Sequence, residues 1–215
     1  MAKLMLSASA VALAASMAAR RLPVGAALAR GAELARLVAS IHAAGWVWRD
    51  CKPANVILTR AGRLRPLDFE GACPVGRPDP LPWGTPTFMA PEGTEVFRGR
   101  SRQPEDLYAL GAVVYFLLAG LAPEAASPPL SKVRRNVPAA ASRVVEELLS
   151  RDPALRPGAA EVARELESAL KSLAGAGAQG ARLSRRMRSA KRGSERMSSQ
   201  AGSAARPTRF GVRIS

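Results

Sequence analysis

Residues 46–55 of the chain read W-V-W-R-D-C-K-P-A-N. An Arg, an Asp, a Lys and an Asn follow one another there, directly after two Trp residues. A solvated surface segment tolerates such residues in any order, whereas a catalytic loop needs a fixed order because each side chain has its own task. The surrounding sequence therefore has to decide between a polar turn and a catalytic loop.

The composition is typical of one globular domain with a tail. The chain has 215 residues, of which 47% are apolar, and a formal net charge of +15. This length predicts a single domain, and the positive charge favours acidic partners such as nucleic acid, anionic lipid or nucleotide phosphates. Two cysteines, Cys51 and Cys73, are too few for a disulfide framework and lack the spacing of metal ligands. We expect two reduced thiols in a cytoplasmic protein.

The N-terminal 21 residues imitate a secretion signal. Lys3 precedes an apolar run that ends in small residues near Ala18, as in a signal peptide. The basic pair Arg20 and Arg21 lies on the wrong side of that run, so we expect a cytoplasmic rather than an exported protein. The run is also too rich in Ala and Ser, and too short, for a membrane span of about 20 apolar residues.

Hydrophobic periodicity and turn residues predict a mainly α-helical chain with a small β-hairpin. Apolar residues recur at helical spacing from Val24 to Ala44, and Gly45 follows as a helix stop. Two short β-prone runs flank a turn at residues 60–63, which predicts the hairpin. Residues 71–86 hold five prolines and are predicted to be a loop. The predicted helices are 1–21, 24–44, 106–119, 139–150 and 159–173, and the predicted strands are 55–59 and 64–67.

The composition changes after Leu173. Residues 174–215 contain ten Lys or Arg against one acid, Glu195, and show no apolar periodicity. This pattern predicts a basic disordered tail. Its runs R-R-M-R-S (185–189) and K-R-G-S (191–194) are typical of substrate sites for basophilic kinases. A merely solvated tail, and a tail that binds anionic lipid or nucleic acid weakly, are both consistent with this composition.

Four signatures follow one another along residues 1–173. They read I-H-A-A-G-W-V-W-R-D-C-K-P-A-N-V-I-L-T (41–59), L-D-F-E-G-A (67–72), G-T-P-T-F-M-A-P-E (84–92) and R-D-P-A-L-R-P (151–157). Each signature is weak by itself, but their order and spacing resemble the C-terminal lobe of a bacterial, eukaryotic-like Ser/Thr protein kinase. The resemblance implies a protein kinase-like fold, C-terminal lobe only, over residues 1–173.

The resemblance assigns the chemistry to four residues. Asp50 matches the catalytic-loop Asp, which accepts the proton of the substrate hydroxyl, and Lys52 matches the Lys that faces the transferring phosphoryl group. Asn55 and Asp68 match the two Mg²⁺ ligands, with Asp68 at the Asp of the D-F-G motif. The implied co-substrate and metal are ATP and Mg²⁺, bound through Lys52, Asn55 and Asp68. The predicted hairpin brings Asn55 and Asp68 to the same end.

Further residues match positions that support this loop in the family. Thr85 corresponds to a Thr that bridges the catalytic Asp and Lys and helps to select a hydroxyl substrate. Glu92 and Arg156 correspond to a buried ion pair, and Asp106 to the acceptor for backbone N–H groups of the catalytic loop. His42, the only His, is predicted to be a packed structural residue rather than a base.

The sequence departs from the family pattern at three places. Trp48 stands at the His of His-Arg-Asp, a packing position that another aromatic residue can fill. Glu70 replaces the Gly of D-F-G, which restricts the backbone and adds a carboxylate near the metal. The Gly-rich strand and the Lys-bearing strand of an N-terminal lobe are missing: only Lys3 precedes the catalytic loop, and the G-x-G-x-x-G match at 175–180 lacks strand context. We expect a misplaced start, a truncated gene, or an N-terminal lobe supplied by another chain.

The activation segment, residues 68–92, is predicted to work without phosphorylation. It has no Ser, Thr or Tyr between Gly71 and Gly84. Arg49 pairs with a phosphate in the family, and here Asp79 is the only candidate partner that the sequence offers. We expect prolines to stiffen this loop instead.

Two hypotheses follow for the function. The first is a Ser/Thr protein kinase-like domain that transfers the γ-phosphoryl group of ATP to a protein hydroxyl, with poor ATP binding by this chain alone. The alternative is a non-catalytic pseudokinase fragment that acts as a module for binding proteins or anionic surfaces.

Overall fold

The computed structural model describes residues 11–12, 21–78, 82–94, 99–100, 102–124, 127–177, 179 and 182. The chain divides into two units, Met1–Leu173 and Ala174–Ser215. The first unit holds the helical core and the β-hairpin. Residues 174–177, at the start of the predicted tail, are helical; most of the rest of that tail, and most of the signal-like N-terminus, lie outside the described residues.

Five α-helices are found in the described part of the chain. They are α1 (Val24–Ala43), α2 (Gln103–Ala119), α3 (Leu130–Val133), α4 (Ala139–Leu148) and α5 (residues 159–177). Helix α1 starts after Pro23 and ends before Gly45, whose φ of 79° takes the chain into the left-handed region that favours glycine. The prediction of a mainly helical chain with a small hairpin is confirmed.

The five strands of the described residues are short and form two small sheets. They are β1 (Val11–Ala12), β2 (Trp46–Val47), β3 (Val56–Leu58), β4 (Leu64–Pro66) and β5 (Cys73–Pro74). Strands β3 and β4 form the predicted antiparallel hairpin, and β1 pairs with the free side of β3. Strand β2, which leads into the catalytic-loop sequence, pairs antiparallel with β5.

Helix α2 forms the centre of the core. Its sequence is apolar almost all round, and twelve of its residues, including Leu110 and Leu117, are buried. Helices α1 and α4 pack against it. A helix with no polar face can only be stable when other elements cover it on several sides. Strand β2, which leads into the catalytic-loop sequence, also packs against α2, so the loop starts at the centre of the core.

The structure corrects several predicted boundaries. The helix predicted for residues 1–21 is wrong at Val11–Ala12, which form strand β1. Helix α2 begins at Gln103 rather than Asp106 because a proline, Pro104, is tolerated in the first turn, where no amide donor is needed. The loop predicted for residues 71–86 contains strand β5, and α5 continues four residues past the predicted end at Leu173.

Among the described residues, no helix has the length and hydrophobicity to cross a membrane.

Candidate active site

The predicted catalytic loop lies between strand β2 and a 3₁₀ turn at Pro53–Asn55. Asp106, in the first turn of α2, is fully buried and accepts hydrogen bonds from the backbone N–H groups of Trp48 and Arg49, both at 2.7 Å. Arg49 itself has a φ of 71°, a conformation that side chains rarely adopt and that needs support from its surroundings. The central helix thus fixes the loop just before Asp50.

The side chain of Asp50 is the centre of a hydrogen-bonded cluster. Its Oδ2 accepts from Lys52 Nζ at 2.7 Å and from Asn55 Nδ2 at 2.8 Å, and its Oδ1 accepts from Thr85 Oγ1 at 3.1 Å. Lys52 also donates to Thr85 Oγ1 at 2.8 Å. The structure therefore brings together four of the predicted site residues, although Thr85 is 33 positions away from Lys52 in sequence.

The hairpin places Asp68 at the same end as Asn55. The Leu67 N–H donates to the Asn55 carbonyl at 2.8 Å, which closes the end of the β3–β4 ladder. Asp68 follows at once, exposed and with a φ of 58°. Its carboxylate is not hydrogen-bonded to the Asp50 cluster among the described residues; it accepts one long bond, 3.4 Å, from the Glu70 N–H. Asn55 and Asp68, which are 13 positions apart in sequence, thus lie at the same end of the hairpin.

The donor set at this end of the hairpin fits a hard divalent cation. The side-chain Nδ2 of Asn55 donates to Asp50, so the side-chain amide oxygen of Asn55 is available as a neutral ligand. Asp68 supplies an exposed carboxylate. Mg²⁺ prefers one or two such oxygen ligands and completes its shell with water and substrate phosphates. Within the described ranges, no group of three or more His, Cys, Asp and Glu forms a self-sufficient metal cage.

Trp48 occupies the position of the family's His as a packing residue. It is fully buried, its Nε1 donates to the Asp68 carbonyl at 3.1 Å, and its ring stacks on Phe69 with centroids 5.7 Å apart. An indole can therefore replace an imidazole here because both a ring face and an N–H donor are available. Glu70, at the Gly of D-F-G, is exposed.

Arg49 does have partners, contrary to the prediction that only Asp79 is available to it. Its Nη1 donates to the Gly71 carbonyl at 3.3 Å, and its guanidinium lies 5.9 Å from the ring centroid of Trp83. Asp79 lies outside the described residues. Sequence reasoning missed Trp83, since a lone aromatic residue in a proline-rich loop carries no periodicity or motif that indicates a contact.

The predicted ion pair between Glu92 and Arg156 is bidentate. Arg156 Nη1 and Nη2 donate to the two carboxylate oxygens at 2.5 and 2.9 Å. The Arg156 side chain is fully buried, whereas that of Glu92 is 27% exposed. This pair attaches the end of the activation segment to the helical core.

Two further residues, His42 and Cys51, are buried or nearly buried beneath the loop. His42 is nearly buried, and its Nε2 lies 2.9 Å from Asp106 Oδ2, which agrees with a packed structural role. Burial, together with the nearby carboxylates of Asp106 and Asp50, raises the pKa of the Cys51 thiol well above its usual value. Cys51 is therefore an unreactive core residue, because the thiolate is the nucleophilic form.

The comparison with protein families agrees with this geometry. Residues 26–166 match the family described as "Protein kinase domain". The chain therefore belongs to the protein kinase family.

Named relatives support the same assignment. "Serine/threonine-protein kinase PkaB" of Streptomyces coelicolor is 35% identical over 178 residues, which are 73% of this chain and 42% of the relative. "Serine/threonine-protein kinase PknK" of Mycobacterium bovis is 33% identical over 159 residues, 65% of this chain and 14% of the relative. The chain thus spans less than half the length of these curated relatives.

A solved structure confirms the fold. The "ROP18 kinase domain in complex with AMP-PNP and sucrose" superposes with a TM-score of 0.59 at 25% identity and covers 72% of this chain and 45% of its own chain. The prediction of a protein kinase-like fold is confirmed.

Proposed function

We propose that this chain is the C-terminal lobe of a Ser/Thr protein kinase that transfers the γ-phosphoryl group of ATP to a protein hydroxyl. The observation that carries the proposal is the cluster in which Lys52, Asn55 and Thr85 all donate hydrogen bonds to the Asp50 carboxylate. Phosphoryl transfer needs little covalent help from a protein, and its catalysis is mostly positioning and charge compensation. A rigidly held carboxylate beside an ammonium group provides both.

Asp50 is the proposed acceptor of the substrate proton. A carboxylate offers about four acceptor positions, and three of those on Asp50 are used by the cluster. The remaining position is available to an incoming Ser or Thr hydroxyl. Since the side chain is only 13% exposed, the hydroxyl has to approach from one direction, which orients its oxygen for attack on phosphorus.

Lys52 and Thr85 complete the proposed machinery. The Lys52 ammonium is fixed by Asp50 and Thr85 and compensates the charge on the transferring phosphoryl group, an effect that is strong when the donor is held in advance. The Thr85 hydroxyl donates to Asp50 and accepts from Lys52, so it fixes the distance between the two. The Thr85 side chain also occupies part of the space beside Asp50, and we propose that this helps to select a substrate that presents a hydroxyl group.

Asn55 and Asp68 would hold Mg²⁺ together with ATP. The metal supplies charge neutralisation of the nucleotide phosphates when bound. Asn55 presents its amide oxygen because its Nδ2 is committed to Asp50, and Asp68 is held at the end of the hairpin with its backbone carbonyl bonded to Trp48. Glu70 adds a carboxylate close by in sequence, and we propose that it limits the backbone motion that glycine permits at this position.

An exposed apolar face beside the site indicates that another protein segment packs against this lobe. Phe69 and Trp46 are 47% and 45% exposed, and with Ile41, Ala44 and Ala72 they line a cavity of about 460 Å³. Large apolar side chains grouped in this way indicate a contact surface. We propose that an N-terminal kinase lobe, carried by another chain or by further sequence of the same protein, covers this face and completes the nucleotide site.

The test is a phosphoryl-transfer assay with radiolabelled ATP, Mg²⁺ and a generic Ser/Thr protein substrate. We expect transfer by the wild-type chain to fall by about 10²–10⁴-fold in Asp50→Asn, the range for loss of a positioned acid–base group, while Asp152→Asn, a surface control, keeps its rate. Transfer above the protein-free background that is equal in the wild type and in Asp50→Asn would contradict the proposal.

The alternative function is a non-catalytic module. The exposed Trp46–Phe69 face favours it, since that face fits a protein contact whether or not chemistry occurs. In that case the basic tail, residues 174–215, would add weak attraction to anionic lipid or nucleic acid through its Arg and Lys residues. Absence of transfer, together with no thermal shift from ATP and Mg²⁺ in either the wild type or Asp68→Ala, would favour this alternative.

A further inference from the structure

We propose that Trp83 is a positioning residue that holds the activation segment against the catalytic loop and so keeps Thr85 on Asp50. The inference rests on the proposed function above and adds a residue that none of the four signatures contains.

The first observation is the contact between Trp83 and Gly71. A Cβ atom built on Gly71 would lie 1.7 Å from Trp83 Nε1 and 2.1 Å from Cδ1. No real side chain fits at such distances, so the indole lies directly on the backbone of residue 71. Gly71 does not have a positive φ, so its backbone conformation is open to alanine, and the three atoms nearest to such a Cβ all belong to Trp83.

The second observation is the contact between Trp83 and Arg49. The guanidinium lies 5.9 Å from the indole centroid, within the distance of a cation–π interaction. The same side chain donates to the Gly71 carbonyl at 3.3 Å. Arg49 and Gly71 thus both contact the indole and are hydrogen-bonded to each other. Arg49 directly precedes the proposed base Asp50.

The third observation is how closely the segment then approaches the loop. Gly84 has a φ of 125°, and a Cβ on it would lie 2.9 Å from the Arg49 carbonyl oxygen. Thr85 follows and reaches both Asp50 and Lys52. Trp83 and Thr85 therefore flank a close crossing of two backbones, and fixing the indole fixes the position of the hydroxyl.

The residue types explain why the Trp83 contact does not depend on phosphorylation of the segment. The stretch between Gly71 and Gly84 offers no hydroxyl group to a kinase. Trp83 is 43% exposed, so burial alone does not fix it. Its indole is held by the Arg49 guanidinium over the ring and by the Gly71 backbone at its edge. This arrangement forms on folding and does not depend on a second enzyme.

The test is a double-mutant cycle of Gly71→Ala and Trp83→Ala in the full chain. The readout is amide hydrogen exchange of the segment around residues 84–92, where the N–H groups of Phe88 and Met89 donate to the Thr85 carbonyl. We expect Trp83→Ala to accelerate this exchange about two- to fivefold, the factor for loss of a partly exposed cation–π contact. Gly71→Ala should accelerate it at least as much, and the double variant should exchange no faster than Trp83→Ala.

Two further variants make the cycle specific. Trp83→Phe keeps a ring face for Arg49 and should restore most of the protection. Val75→Ala removes an apolar side chain of similar exposure from the same loop and should leave exchange unchanged. Acceleration by Gly71→Ala that persists when residue 83 is already alanine would overturn the inference, as would equal exchange in Trp83→Ala and Val75→Ala.

Kinetics then separate this inference from the proposed function. In the transfer assay, Trp83→Ala should lower kcat with an unchanged KM for ATP, and Trp83→Phe should recover the rate. A lower kcat that phenylalanine does not recover would contradict a positioning role. Because hydrogen exchange needs no catalysis, the exchange cycle tests the indole contact whether or not the chain transfers phosphoryl groups, so this inference and the proposed function fail separately.

Discussion

At the scale of single residues, Asp106 shows how one buried carboxylate organises a whole loop. It is fully buried and has three partners: the backbone N–H groups of Trp48 and Arg49, and the imidazole of His42. Because those two N–H groups belong to the two residues before Asp50, the Asp106 carboxylate sets the direction in which the proposed catalytic side chain leaves the backbone. A buried acceptor with this many donors cannot be replaced by a smaller or singly accepting group.

We predict that Asp106→Asn destabilises the chain by about 3–5 kcal/mol, the usual cost of breaking a buried charged network. An amide has one oxygen to accept and adds two N–H donors, so at least one backbone N–H of the loop loses its partner. Urea unfolding measures the change. Glu161→Gln removes an exposed acid as a control and should cost less than about 0.5 kcal/mol; similar losses in both variants would refute this role for Asp106.

At the scale of elements, Glu33 connects helix α1 to the hairpin. Its Oε1 accepts from Arg63 Nε and from the Leu64 N–H, both at 3.0 Å, and its Oε2 accepts from Arg30 Nη1 at 2.9 Å. Burial raises the pKa of Glu33, but the hydrogen bond from Leu64 and the bonds and charges of Arg63 and Arg30 outweigh it, so the pKa of this carboxyl is lowered overall. The negative charge is therefore more stable in the folded chain than in the unfolded one.

This shift fixes the sign of a pH dependence. A carboxyl with a lowered folded-state pKa contributes stability above its unfolded pKa, about 4.5, and loses it as the pH falls through the folded value. We predict that Glu33→Gln costs about 1–3 kcal/mol at pH 7, as for hydrogen bonds to charged groups, and that this difference shrinks below pH 4.5. Urea midpoints of both chains across this range provide the measurement.

Glu167→Gln is the matched control for Glu33. Glu167 pairs with Arg36, but the two side chains are 38% and 57% exposed, and such surface pairs contribute about 0–1 kcal/mol. We expect a small effect without a clear pH dependence. A loss in Glu33→Gln that stays constant from pH 7 down to pH 3 would show that the ionised form is not the one that matters.

Arg156 connects three elements at once. Besides Glu92, its guanidinium donates to the carbonyls of Ser150 and Pro104 and lies 5.1 Å from the ring centroid of Tyr108. We predict that Arg156→Met costs about 3–5 kcal/mol, because Glu92 and two carbonyls lose their donor together. Glu92→Gln should cost less, since the arginine keeps its other partners. The order of the two unfolding free energies is the measurement, and the reverse order would contradict this account.

At the scale of the whole molecule, close helix packing around α2 limits which residues the core accepts. A Cβ on Gly111, in α2, would lie 2.6 Å from Leu148 Cβ at the end of α4. The same atom on Gly25, in the first turn of α1, would lie 3.5 Å from Leu170, an ordinary contact. A side chain at Gly111 would therefore clash with its neighbour, whereas one at Gly25 would fit.

We therefore predict effects of opposite sign for one substitution type. Gly111→Ala should destabilise by about 1–3 kcal/mol through overpacking, whereas Gly25→Ala should stabilise by up to about 1 kcal/mol because alanine favours the helix and restricts the unfolded chain. Thermal unfolding of the two variants measures both. Stabilisation by Gly111→Ala would mean that the α2–α4 crossing is looser than the structure indicates.

Much of this molecule is encoded in short windows of sequence. The spacing of Leu28, Leu34 and Val38 predicts α1, and the turn at residues 60–63 predicts the β3–β4 hairpin, because helical periodicity and turn chemistry involve residues only a few positions apart. The order of residues 49 to 55 likewise determines which side chains leave the loop together. These features are settled by local geometry, so the sequence is sufficient to find them.

Tertiary structure alone decided the rest. The pairing of β1 with β3, the bidentate geometry of Arg156 and the contact of Trp83 with Gly71 and Arg49 join residues from 12 to about 60 positions apart. Whether such residues meet depends on how α2 orients every element packed on it. The identity of a side chain limits the types of group that it can contact. Which of many chemically similar residues becomes its partner depends on how the core packs.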